Sequence, residues 1–168
     1  MIPANLKRIA PWLALALLLA LADQASKYAI SASLRFGEVR EIAPFFNLVL
    51  AHNRGAAFSF LADAGGWQRA LFIGIAAAAT VAIVFLLARH SGERLFSTGL
   101  ALVLGGALGN LWDRIALGHV VDFLDFHAFG WHFWAFNLAD SAITVGAAGL
   151  VLTSLVAERL SRLADGPK

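Results

Sequence analysis

The chain has 168 residues, of which 60% are hydrophobic and 14% charged, with a mean hydropathy of +0.73 and a net charge of +2. Soluble domains carry about 25% charged residues, so an ordinary globule in water is excluded, and at about 150 residues per domain the chain is expected to be a single unit, 1–168. The absence of cysteine excludes thiol catalysis, disulfides and Cys-based metal sites, and the small net charge gives no argument for nucleic acid.

A hydrocarbon core of about 30 Å takes about 20 helical residues, and the charge-free intervals match that measure. The first, Ile9 to Ala22, has 14 residues and reaches Lys27 if Asp23 faces the protein interior, giving a span over about 9–27. An alternative is a cleaved secretory signal, with Lys7 and Arg8 ahead of an apolar run and Ala20-Leu21-Ala22 as the cleavage site. The next segment, about 28–68, contains strand formers at Phe45–Leu50 and Ala56–Phe60, separated by the turn signal Asn53-Arg54-Gly55. A small antiparallel sheet lying on the membrane surface is the expected result.

Spans two and three follow at 70–88 and 95–112, with 19 and 18 uncharged residues. Gly105 and Gly109 form a small-xxx-small pair suited to close helix contact. From Asp113 to about Asn137 the chain is aromatic, with Phe123, Phe126, Phe129, Trp131, Phe133, Trp134 and Phe136, and is expected to be a loop in the membrane interface. The fourth span covers 141–157. Lys7, Arg8, Arg89, Arg94, Arg159 and Arg162 flank one side against Lys27, Arg69 and Arg114 on the other. The positive-inside rule then puts both termini in the cytoplasm. The expected fold is a mainly α membrane protein, four transmembrane helices with a small external sheet.

Five carboxylates, Asp23, Asp113, Asp122, Asp125 and Asp140, fall at the external ends of the spans, where acids cost free energy unless they are paired or functional. Asp140 opens the fourth helix with Asn137 as a candidate N-cap, so one reading makes it only a first-turn acid complementing the helix dipole. Asp122 has no local partner in Val120-Val121-Asp122-Phe123-Leu124, whereas Asp125 reads equally well as a surface-facing loop residue. Two carboxylates brought together at the membrane surface would suit a dyad that shares a proton. Asn110, Asp113 and Arg114 share a helix face, either as an anchoring network or as hydrogen-bond donors for a bound carbonyl or anion. His119, His127 and His132 suggest zinc at first sight, but their spacing matches no metal pattern. Neither a Gly-x-Ser-x-Gly elbow nor a Ser/Lys arrangement is present, Ser26 and Lys27 being adjacent.

Five motifs in order along the chain resemble the lipoprotein signal peptidases, or signal peptidase II. They are Asp23-Gln24-Ala25-Ser26-Lys27, Asn53-Arg54-Gly55-Ala56-Ala57-Phe58-Ser59, Gly109-Asn110-Leu111-Trp112-Asp113-Arg114, Val121-Asp122-Phe123 and Phe136-Asn137-Leu138-Ala139-Asp140-Ser141. The resemblance implies catalytic aspartates at Asp122 and Asp140, with supporting polar residues at Asp23, Lys27, Asn53, Asn110, Arg114 and Asn137. It implies a metal-free and cofactor-free aspartic endopeptidase of the bacterial inner membrane, monomeric and with its site on the external face. Such an enzyme would cut prolipoproteins just before the diacylglyceryl-modified cysteine, with membrane lipids as its other partners. The stretch from His127 to Trp134 belongs to none of these motifs. Two rivals are weighed on the residues: a small transporter would pair acids near the bilayer midplane, often in repeated halves, and a lipid-binding scaffold would not need two separated carboxylates. Here the acids lie at span ends and the halves do not repeat.

Overall fold

The four apolar intervals become four long helices in the computed structural model, which describes residues 4–55 and 65–164. They are α1 (Ala4–Ser33), α2 (Trp67–His90), α3 (Arg94–Ala116) and α4 (Leu138–Ala164), each long and apolar enough to cross a membrane. All outrun the charge-free intervals, because charges at span ends either reach toward headgroups or find buried partners. Helix α1 passes through Ala20-Leu21-Ala22 without a break and buries Asp23 and Lys27 in the bundle, as the span reading requires.

Helix α3 is the centre of the bundle and packs against α1, α2 and α4. Half of its apolar window is buried in protein, against 11–17% for the other three, whose remaining apolar surface faces outward. Lipid tails are as apolar as Leu, so packing rather than hydrophobicity must hold such helices together. Glycine allows this: a Cβ at Gly105 would lie 2.7 Å from the Ala16 carbonyl oxygen of α1, and one at Gly106 would meet Ile143 of α4 at 2.7 Å. Leu87, Leu100, Leu104, Ile83, Ile9 and Ala16 fill the apolar core between the helices.

On one end of the bundle lies an antiparallel sheet in the order β1 (Val39–Ala43), β2 (Phe46–Asn53), β3 (Val120–Ala128), β4 (Trp131–His132). Strand β2 runs on to Asn53 and pairs with β3, Asn53 opposite Val120 and Phe46 opposite Phe126; the expected strand at Ala56–Phe60, and with it the hairpin at Asn53-Arg54-Gly55, falls outside the described residues. One expectation is corrected. The segment 113–137 is not a loop throughout but supplies β3 and β4, since Val120-Val121-Asp122-Phe123-Leu124 has the β-branched and aromatic content of a strand. The sheet rests on the end of α1, where Leu34, with Ile30 beside it, packs under Leu50 and Val121.

Candidate active site

Sheet and bundle meet at a layer of buried polar groups. Lys27, one turn after Asp23 on α1, places its Nζ 2.7 Å from Asp23 Oδ2, 2.8 Å from Asp113 Oδ2 and 2.9 Å from Asn110 Oδ1. An ammonium has three donors, and all three are used. Asp23 Oδ1 accepts from the Ala139 backbone N–H at 2.9 Å, fastening the start of α4 to α1. Asp113 also accepts from Gln24 at 2.8 Å and from the Val121 N–H at 3.1 Å, fastening β3 to the bundle. Gly109 makes room for this, because a Cβ there would sit 2.5 Å from Asp23 Oδ2. Of the face shared by Asn110, Asp113 and Arg114, Arg114 bonds the Asn110 carbonyl, whereas Asp113 turns inward to Lys27.

Three asparagines transmit this order to Asp122 and Asp140. Lys27 can only donate, so Asn110 turns its oxygen to the ammonium and delivers its NH2 to Asp140 Oδ1 at 2.8 Å. Asn137 is the N-cap of α4, its Oδ1 accepting the Asp140 N–H at 2.9 Å, which leaves its NH2 for Asp122 Oδ1 at 2.7 Å and Asn110 Oδ1 at 3.2 Å. Asn53 accepts the Gly55 N–H at 2.9 Å and donates to Asp122 Oδ2 at 3.1 Å. Each amide has its acceptor engaged elsewhere, so each donor points at a carboxylate. A continuous path of hydrogen bonds, Asp122–Asn137–Asn110–Asp140, joins the two acids across the 18 positions that separate them in sequence.

Asp122 is 2% exposed. Burial raises its pKa from 3.8 to about 7, helped by the charge of Asp140 and opposed by hydrogen bonds from Asn53 and Asn137 and by the charge of Lys27. Arg114 donates to the Gly55 carbonyl at 2.9 Å and to the Asn110 carbonyl at 3.3 Å, and its guanidinium stands over the Phe72 ring. A cavity of about 460 Å³ opens beside Asp140, with Asn53, Asn110 and Arg114 as its polar lining and Phe133, Trp134, Phe136 and Ile143 among its apolar walls. The cavity offers the Asp140 carboxylate, fixed amide donors and a cation at the edge of an apolar slot, and Asp122 is tied to that lining through Asn53 and Asn137.

All eight expected site residues therefore converge: Asp122 and Asp140 are joined through Asn137 and Asn110, with Asn53 holding Asp122, over the Lys27–Asp23 pair and with Arg114 at the rim. Sequence reading missed the roles of Asp113 and Gln24, although an acid three residues after Asn110 at a span end was a signal for the first. Asp125 is not a surface-facing loop residue but lies on β3 at 6% exposure. Among the described residues no three His, Asp or Glu side chains converge as metal ligands; His132 pairs with Asp125 instead.

The family described as Signal peptidase (SPase) II matches residues 15–156. Relatives include the lipoprotein signal peptidase of Paraburkholderia phytofirmans, 57% identical over 154 residues covering 92% of this chain and 90% of that protein. Another is the lipoprotein signal peptidase of Burkholderia multivorans, 57% identical over 147 residues, 88% of this chain and 89% of the relative. A solved bacterial membrane enzyme, determined in meso at 2.3 Å resolution, superposes with a TM-score of 0.79 at 31% identity, covering 87% of this chain and 88% of that one.

Proposed function

The chain belongs to the signal peptidase II family, and on that premise we propose that Asp122 and Asp140 are its catalytic pair. The protein is a multi-pass bacterial membrane enzyme, an aspartic endopeptidase that removes signal peptides from lipoproteins. We take it as one membrane-embedded unit whose substrates are diacylglyceryl-modified prolipoproteins, cut just before the modified cysteine. The observation that carries the assignment is the hydrogen-bonded path from Asp122 through Asn137 and Asn110 to Asp140 at the rim of the cavity.

In this mechanism a water between the two carboxylates adds through oxygen to the scissile carbonyl carbon. One carboxylate takes the water's proton while the other, protonated, donates a hydrogen bond to the carbonyl oxygen. Collapse of the tetrahedral intermediate breaks the C–N bond, and a proton passes to the departing amine of the modified cysteine. A carboxyl that titrates near neutrality suits the shared proton, and both burial and the charge of Asp140 favour its residence on Asp122. Asn53, Asn110 and Asn137 hold the acids, Lys27 holds Asn110, Asp23 holds Lys27 and the start of α4, and Arg114 positions the peptide at the rim.

We further place the termini in the cytoplasm and the site at the external face of the inner membrane, supported by the excess of Lys and Arg at the opposite end of the bundle. A cysteine at Gly92 should then resist an impermeant thiol reagent in intact cells while one at Arg40 reacts; the reverse labelling inverts the topology. The catalytic assignment is tested by cleavage of a lipidated precursor by purified Asp122→Asn and Asp140→Asn proteins. Both should be inactive, and turnover by either at more than a few per cent of the parent rate removes that residue from the chemistry.

A further inference from the structure

The segment Phe133-Trp134-Ala135 stands between two cavities, the one beside Asp140 and a second of about 420 Å³ lined by Val39, Val49, Leu50, Asp125 and His132. It is tied to the sheet at both ends, by β4 before it and by the Phe136–Leu124 bridge after it. Strand β4 has only two residues, pairing His132 with His127 and Trp131 with Ala128, and so few ladder bonds hold a strand poorly by themselves. Backbone bonds from the Phe133 N–H to the Phe126 carbonyl, 2.7 Å, and from the Phe136 N–H to the Leu124 carbonyl, 3.1 Å, bracket the segment.

One side-chain clamp is added at its start. His132 Nδ1 lies 3.0 Å from each oxygen of Asp125, and Asp125 Oδ2 also accepts from Asn47 Nδ2 of β2 at 2.9 Å. Asn47 and Asp125 are each 6% exposed, so the carboxylate is a fixed point on the sheet to which a half-exposed imidazole is tied. Side chains alternate along a strand, and Asp125, three residues after Asp122, leaves the opposite face of β3. It lines the second cavity and not the first.

We propose that the Asp125–His132 contact is a positioning clamp that sets where Phe133 and Trp134 stand, and through that wall determines how tightly the catalytic cavity holds its precursor. This rests on the reading that the cavity beside Asp140 receives the substrate. A wall that touches the substrate equally before and during reaction changes KM and leaves kcat in place.

Steady-state cleavage of a diacylated precursor peptide by the full-length enzyme in lipid bicelles tests the clamp. His132 is half-exposed, so His132→Ala should fold normally, raise KM about fivefold, the scale of a solvent-exposed ion pair, and hold kcat within about twofold. His132→Asn puts an amide N–H where Nδ1 was and should recover most of the lost affinity. Trp134→Ala should itself raise KM, and His132→Ala added to it should bring no further rise, because the wall it positions is gone. The clamp is overturned if His132→Ala keeps the parent KM, if it lowers kcat alone, if His132→Asn is as poor as His132→Ala, or if the His132 and Trp134 effects multiply. Activity surviving in Asp122→Asn or Asp140→Asn would instead overturn the catalytic reading, an outcome distinct from all of these.

Discussion

Replacing Asp122 with Asn separates chemistry from stability in one protein. Asn is nearly isosteric but cannot take a proton from water, so cleavage should fall by the 10²–10⁴-fold typical of a lost general acid–base group, or more. Stability should move the other way, with a pH dependence that can be worked out. Asp122 has a folded pKa of about 7 against an ordinary 3.8, so the folded state binds its proton more tightly than the unfolded one. Its contribution is fully present below pH 4 and is lost as pH rises toward 7. The gap corresponds to roughly 4 kcal/mol by pH 8. In the Asp122→Asn protein the new amide would face two donors, Asn137 and Asn53, with a single acceptor oxygen, and one unsatisfied donor costs about 1–3 kcal/mol. The variant should therefore be more stable than the parent by about 1–3 kcal/mol at pH 8 and lose that advantage below pH 4. Thermal unfolding followed by tryptophan emission at pH 4, 6 and 8, beside cleavage of a lipidated precursor, measures both. A stability difference that does not change with pH would refute the buried, proton-holding carboxylate, and retained cleavage would refute its catalytic use.

Removing the ammonium by Lys27→Met leaves Asp23 and Asp113 buried without their shared cation, and a loss of about 3–5 kcal/mol is expected in thermal unfolding. Gly109→Ala presses a methyl onto the Asp23 carboxylate and should cost about 1–3 kcal/mol, with a larger relative fall in cleavage than in stability. Asn137→Ala removes both the cap of α4 and a donor to Asp122; about 1 kcal/mol of stability is expected to go, and the pH optimum should shift upward as Asp122 loses a bond that favours its ionised form. Precursors lacking the diacylglyceryl group should be cleaved far more slowly than lipidated ones, since each buried methylene contributes about 0.8 kcal/mol toward residence at the membrane; equal rates would remove the lipid from recognition.

The four spans were legible because a bilayer imposes a length on uncharged sequence, and Asp122 stood out as an acid with no local partner, whereas Asp140 read equally well as a first-turn acid on the helix dipole. The sheet was legible only as composition. Its pairing joins Phe46 to Phe126 and Asn53 to Val120, contacts 80 and 67 residues apart that no local turn signal encodes. At Asn53-Arg54-Gly55 the turn chemistry was read correctly, since Asn53 does accept the Gly55 N–H, yet the same bond turns the Asn53 amide donor toward Asp122, which no local signal reveals. Asp125 was misread because its partners, Asn47 and His132, lie on other strands.

The two acids belong to different bodies, Asp122 to the sheet and Asp140 to the helix bundle, and besides the bonds of Asp113 and Asn137 to β3 the sheet is propped by the far end of α1. At 1.5 Å per residue its 30 residues span about 45 Å, some 15 Å more than the hydrocarbon core, and the surplus turns are those that carry Leu34 beneath Leu50 and Val121. A bilayer whose thickness changes the tilt of α1 would change the height of those turns and load the hydrogen bonds that tie Asp122 to Asp140. On that account the prop under the sheet is a gauge of bilayer thickness: the same enzyme in short-chain and long-chain lipids should differ in turnover, with its fold and its substrate unchanged, and equal turnover in both would refute it.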